Sequence, residues 1–126
     1  VFPLVITFDF DNTLLDWVNT DNWNSPNTNE EILDDLIEAK RRGSEVYIVT
    51  ARHFKDEGRV GPSIQEWLLD EGVCVDGVFF TEGFLKADVL LELGSVLHYD
   101  DNLDEIHAAE SVGIPTVHVN GSAPIH

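Results

Sequence analysis

The chain is poor in several things on which common functions depend. It has a single cysteine, Cys74, among 126 residues. No disulfide framework and no cysteine-based zinc site can form within one such chain. Cys74 sits in the apolar run Val73-Cys74-Val75 and is expected to be a small buried hydrophobe, with a reducing cytoplasm as the default compartment. No apolar run approaches the ~20 residues needed to cross a bilayer. The apolar N-terminus lacks a basic region and a cleavage site, so no signal peptide is expected. Basic residues are scarce too: 7 Lys+Arg stand against 24 Asp+Glu, a net charge of −17. Such a surface repels nucleic acid and anionic membranes. The one basic cluster, Lys40-Arg41-Arg42, falls at an expected helix C-terminus, where cations complement the helix dipole. The acidity suits a salt-rich cytoplasm, or it serves solubility alone.

What is present reads as one domain, 1–126, by ordinary size. Short β-branched runs alternate with amphipathic stretches. Leu4 to Phe8 reads as a strand buried on both faces and Val46 to Val49 as a second buried strand; Val78 to Phe80, Val96 to Tyr99 and Pro115 to Val119 read as three further strands. Between them, helices are expected from a capping box at Thr28-Asn29-Glu30-Glu31 to Gly43, from Pro62 to Gly72, from Lys86 to Gly94 and from Leu103 to Gly113. Strict alternation implies an α/β fold: a three-layer, Rossmann-like, five-stranded parallel sheet with helices on both faces. The stretch from Asp16 to Asn29 has loop composition, yet carries Trp17 and Trp23.

Ligands of such sheets bind at the carboxyl ends of the strands. Three expected strands end in polar residues: Asp9/Asp11, Thr50/Arg52 and Asp100/Asp101. Four carboxylates cannot gather there, all ionised, without a counter-charge. Oxygen-only donors favour Mg²⁺ over zinc. With the Thr50 hydroxyl and the Lys86 charge, they form a cradle for a transferring phosphoryl group. Two carboxylates in unlike environments can divide nucleophile and acid–base work between them. His98, His107 and His118 fall inside expected elements without ligand spacing and read as packing or surface residues.

This order of residues resembles the haloacid dehalogenase superfamily. Asp9-Phe10-Asp11-Asn12-Thr13 matches its first motif, Thr50 its second, Lys86 its third, and Asp100-Asp101, with Glu105 one turn on, its fourth. The resemblance implies Asp9 as nucleophile and Asp11 as acid and base. It implies Thr50 and Lys86 on the phosphoryl oxygens, with help from the N–H groups of Phe10 and Ala51. Mg²⁺ would be held by Asp9, the Asp11 carbonyl and Asp101, with Asp100 beside it. Thr13 would brace the loop. Asp11 argues for phosphoryl transfer over dehalogenation. A phospho-receiver switch uses similar groups, but its acidic pair follows the first strand, not the fourth. The short spacings leave no room for a cap domain, a layout similar to the phosphatase domain of phage polynucleotide kinase. A small flap after the first strand, carrying Trp17 and Trp23, could stack on a base or sugar. Arg52 is a further candidate for substrate phosphate. The expected substrate is a small phosphate monoester such as a nucleotide, with a polynucleotide 3′-phosphate as the alternative.

Overall fold

The computed structural model describes residues 3–17, 26–57 and 62–119. Trp23 and most of the expected flap lie outside them. A parallel sheet runs in the order β5-β4-β1-β6-β7, formed by Gly77–Phe80, Glu45–Thr50, Val5–Phe8, Ser95–Asp100 and Thr116–His118. All four pairings are parallel. The first strand is therefore central. The chain builds outward from β1 through β4 to β5, then crosses back to β6 and β7. The reversal leaves a crevice at the carboxyl ends of β1, β4 and β6.

Side-chain alternation decides which helices cover which face. Ile48 joins a core with Phe8, Phe10, Leu33, Leu36, Ile64 and Trp67. Its neighbour Val49 points the other way, into a second core with Leu90, Ala109 and Ile114. Helices α1 (Glu30–Arg41) and α2 (Ile64–Glu71) thus pack on one face. Helices α3 (Ala87–Leu93) and α4 (Leu103–Ser111) pack on the other. In α1 the buried residues are Ile32, Leu33, Leu36 and Ala39, one stripe at helical spacing. Each large apolar side chain sealed in this way contributes roughly 1.5–3 kcal/mol. Phe8 stacks on Tyr99 at 4.4 Å between centroids, and the edge of one ring in the Phe10–Trp67 pair meets the face of the other at 5.4 Å. Gly72 and Gly94 end α2 and α3 with φ of 69° and 75°, the left-handed conformation that closes a helix.

Several local expectations shift. The N-cap of α1 is Asn29, whose side chain accepts from the Ile32 N–H, not Thr28. Thr28 belongs instead to a two-residue strand, β3 (Asn27–Thr28), paired antiparallel with β2 (Leu15–Asp16). Its hydroxyl donates to Glu71 and accepts from the Trp67 indole N–H, tying this small hairpin to α2. The cap of α2 is Ser63, so Pro62 lies just before the helix. Cys74 is exposed, against expectation. Beyond α2 the chain runs extended, so Val73 and Val75 turn to the core and Cys74 turns away. Lys40 and Arg41 do lie in the last turn of α1, where Lys40 pairs with Asp76 and Arg41 with Glu38. Among the described residues no helix is long and apolar enough to cross a membrane.

Candidate active site

Asp9 is the first residue beyond β1, and its N–H still bonds Tyr99 O at 2.9 Å, continuing the ladder. The backbone then coils. The N–H groups of Thr13, Leu14 and Leu15 all return to Phe10 O, and Asn12 takes a positive φ of 59°. Asn tolerates that conformation better than most residues. The coil lets Asp9 and Asp11 both reach the mouth. Phe10 is fully buried in the core, so only its backbone can serve a ligand.

Asp9 is 6% exposed. Its Oδ2 accepts from the Thr13 hydroxyl at 3.1 Å and its Oδ1 from Lys86 Nζ at 2.8 Å. Lys86 also donates to Asp100 Oδ2 at 2.8 Å, so the ammonium stands between two carboxylates. Its backbone N–H is fixed by Glu105 Oε1 at 3.0 Å. Burial alone would lower the Lys86 pKa; Asp9 and Asp100 outweigh that and raise it. Burial also pushes Asp9 well above the ordinary carboxylate range, against the pull of Lys86. For Asp100, burial is overcome by His98 and Lys86, which hold it down at about 2. Asp101 is raised, chiefly by burial, and shares a hydrogen-bonding contact with Asp9.

Thr50, at the end of β4, is buried, and its hydroxyl accepts from the Arg52 N–H at 3.2 Å. Thr50, Ala51, Arg52, Asp9, Asp11, Lys86, Asp100 and Asp101 line one cavity of about 210 Å³, together with Asn12, Asn102 and Glu105. Of the expected site residues that it describes, the structure brings all but Phe10 to this cavity; the Phe10 side chain lies in the core.

It also assigns Arg52 a place that its type alone does not reveal. The guanidinium forks onto Asp11, with Nε to Oδ2 and Nη2 to Oδ1, both at 2.7 Å. Its Nη1 donates to Glu57 at 2.6 Å and to Pro62 O at 3.1 Å, and its carbon lies 4.9 Å from the centre of the Phe10 ring. The Trp17 indole N–H adds a third donor to Asp11, at 2.9 Å from Oδ1. Trp17 thus reaches the site while its ring rests against the core. The Asp11 carboxylate is consequently turned from the other acids.

A divalent cation fits the remaining acids. Asp9, Asp100 and Asp101 each offer an oxygen, all within 4.8 Å of one another. The contact between the Asp9 and Asp101 carboxyls needs a proton or a cation between them, since two ionised carboxylates repel. An all-oxygen donor set suits a hard ion such as Mg²⁺. Asp100 is fully buried, with its Oδ1 taken by the Asn102 N–H. Asp101, half-buried on the cavity wall, is the better placed of the pair for direct ligation.

Sequence reasoning missed His98. It is fully buried, with Nε2 at 2.8 Å from Asp100 Oδ2 and Nδ1 at 2.8 Å from the Thr7 hydroxyl. The signal was available: His98 and Asp100 are two apart on one strand and so share a face. Glu57 was missed as well, and no spacing rule marks it.

The match to known proteins agrees with this geometry. Residues 30–123, three quarters of the chain, match the 5′-nucleotidase family. The chain belongs to the 5′-nucleotidase family. The matched span begins after Asp9 and Asp11, but it includes Thr50, Arg52, Lys86, Asp100 and Asp101. The chain is also similar to a class B acid phosphatase of Aggregatibacter actinomycetemcomitans serotype C (strain D11S-1), with 27% identity over 143 aligned positions. The alignment takes in 89% of this chain and 61% of that protein, so the chain spans under two thirds of its relative's length. Both matches fall in the haloacid dehalogenase superfamily, among its capless phosphatases, as the motif order implied.

Proposed function

We propose that this 5′-nucleotidase family member is a Mg²⁺-dependent phosphomonoester hydrolase working through an aspartyl-phosphate. The observation that carries the reading is the placement of Asp9. It lies on the cavity wall with Lys86 on one oxygen and Thr13 on the other, and Asp101 and Thr50 line the same cavity. One Asp9 oxygen attacks phosphorus, and the bond from phosphorus to the leaving oxygen breaks. Asp11 gives that oxygen its proton, then takes a proton from water as the water attacks the aspartyl-phosphate. The Asp9–phosphorus bond breaks and inorganic phosphate leaves. Lys86, the Thr50 hydroxyl and the backbone N–H groups of Phe10 and Ala51 hold the phosphoryl oxygens as charge spreads over them. Asp9, Asp101 and the Asp11 carbonyl would hold Mg²⁺, and its positive charge would let an anionic nucleophile approach an anionic phosphate.

Arg52 belongs to the substrate side of the cavity, and its grip on Asp11 aims the acid. To accept or give a proton, Asp11 exchanges one of its three donors for the leaving oxygen. Substrate phosphate arriving near Arg52 favours that exchange. The small cavity and the net charge of −17 favour a compact monoester, such as a nucleotide, over a polynucleotide end. A single cysteine fits a reducing, cytoplasmic setting.

The test is phosphate release from a panel of monoesters: nucleotides, sugar phosphates and a 3′-phosphorylated oligonucleotide, each with Mg²⁺ and with EDTA. Nucleotides should lead, and EDTA should abolish turnover. Full Mg²⁺-dependent activity in Asp9→Asn would sink the covalent mechanism.

A further inference from the structure

We propose that His98 is a positioning residue of this site, holding Asp100 from inside the sheet so that Lys86 stands between Asp100 and Asp9. The inference rests on the hydrolase reading above. Parallel pairing sets Thr7 of β1 opposite His98 of β6. The two-residue period of β6 then puts Asp100 on the same face as His98. A buried chain of polar contacts results. Leu97 O accepts from the Ser95 hydroxyl at 3.1 Å, Ser95 and Thr7 hydroxyls meet at 2.9 Å, Thr7 meets His98 Nδ1, and His98 Nε2 meets Asp100. From Asp100 the chain passes through Lys86 to Asp9.

A fully buried imidazole is costly unless both nitrogens are bonded. Here both are, and the directions are constrained. Ionised Asp100 can only accept, so the hydrogen between them sits on Nε2. The Thr7 hydroxyl donates to Nδ1 when Ser95 turns its hydrogen to Thr7, and accepts from Nδ1–H when Ser95 keeps its hydrogen on Leu97 O. Asp100 thereby receives three donors: His98 and Lys86 on Oδ2, and the Asn102 N–H on Oδ1. Asp9 and Asp100 compete for one ammonium. With the His98 donor removed, Asp100 carries more unneutralised charge and draws Lys86 away from Asp9 and the phosphoryl position. Second partners of this kind change metal affinity or activity by about 10–100-fold when removed.

Three substitutions separate positioning from filling space. His98→Gln can present an amide N–H near the Nε2 position, toward Asp100. His98→Asn reaches only the nearer, Nδ1 position, toward Thr7. His98→Leu fills volume and bonds neither. Thermal melting establishes which variants are folded. The two readouts are the kcat and KM of the best substrate from the panel, and the Mg²⁺ concentration for half-maximal thermal stabilisation without substrate. The expectation for His98→Gln is a kcat within about threefold of the parent. His98→Asn and His98→Leu should lose about 10–100-fold in kcat, with KM changed far less, and should need more Mg²⁺. If His98→Leu does not fold, the Gln and Asn pair decides the matter alone. Equal losses in Gln and Asn would overturn the proposal, and so would unchanged kcat and Mg²⁺ response in folded Asn. No phosphate release from any monoester of the panel would instead remove the hydrolase reading, while the Mg²⁺ titration of the three variants would still test His98.

Discussion

Replacing Lys86 by Met probes the balance of charge on which the site depends. The Lys86 side chain is 3% exposed and lies 2.8 Å from Asp9 and from Asp100, whose side chains are 8% and 0% exposed. Met matches its length and apolar stem but leaves the carboxylates without their ammonium. Removing one partner of a buried ion pair costs about 3–5 kcal/mol, because the remaining charge stays buried. With a urea slope of about 2 kcal/mol per molar, the unfolding midpoint should fall by about 1.5–2.5 M in EDTA. A cation bound by the same acids should return part of that loss. At one hundred times its dissociation constant, a ligand adds about 2.7 kcal/mol. Lys86→Met should therefore gain at least as much from Mg²⁺ as the parent does. Lys40→Met is the control, since Lys40 pairs with Asp76 at the surface and should cost under about 1 kcal/mol. The assay is urea unfolding followed by tryptophan fluorescence, with EDTA and with saturating Mg²⁺. A Lys86→Met midpoint within about 0.3 M of the parent in EDTA would refute the reasoning. It would mean that the carboxylates shed their charge without help from Lys86.

Other consequences can be checked as directly. Arg52→Lys keeps the charge and loses the fork, so hydrolysis of alkyl monoesters, which needs a well-aimed acid, should drop about 10–100-fold. Hydrolysis of 4-nitrophenyl phosphate, whose leaving group needs little protonation, should drop less; equal losses would argue against a role through Asp11. Asp76 Oδ2 accepts from the Val46 N–H and from Lys40, and these bonds hold its pKa below the ordinary value. Its stabilisation is thus present above the unfolded pKa of about 4 and is lost as pH falls through the lower native value. Asp76→Ala should cost about 1–2 kcal/mol at pH 7, a gap that closes in acid; a gap unchanged at pH 3 would contradict the linkage. Screening of the −17 charge should raise the melting temperature as KCl approaches ~1 M, and a flat series would leave solubility as the reason for the acidity.

The sheet was legible because its strands are short runs of apolar, mostly β-branched or aromatic residues, and each of the five runs became a strand, although Phe79 and Val96 are exposed. The β2–β3 hairpin was not legible. Its strands are two residues each, too short to show a period, and Thr28 looked like a helix cap because Asn29 beside it is one. Cys74 is exposed because an apolar neighbourhood in sequence is not one in space: the core takes Val73 and Val75 on either side of it. Asp9, Thr50, Lys86 and Asp101 could be named because each follows a strand or opens a helix at the same end of the sheet. Glu57 could not, and Trp17 was expected over the substrate rather than on Asp11, since the partners Arg52 and Asp11 are met only after the chain turns back.

The sequence by itself determined the order of strands and helices, the set of charged groups at one end of the sheet, and the chemistry those groups can do. These follow from local periodicity and residue type, which need no partner. Tertiary structure alone decided how the groups divide their work. It gave Lys86 to Asp9 and Asp100 together, turned Asp11 to Arg52 and Trp17, and set His98 beneath Asp100. The Lys86 and Arg52 contacts join residues far apart in the chain, the Trp17 contact closes a short coil, and the His98 contact acquires its meaning from Thr7 on the neighbouring strand. Hydrogen bonds act over about 3 Å, and only the folded chain brings such residues that close.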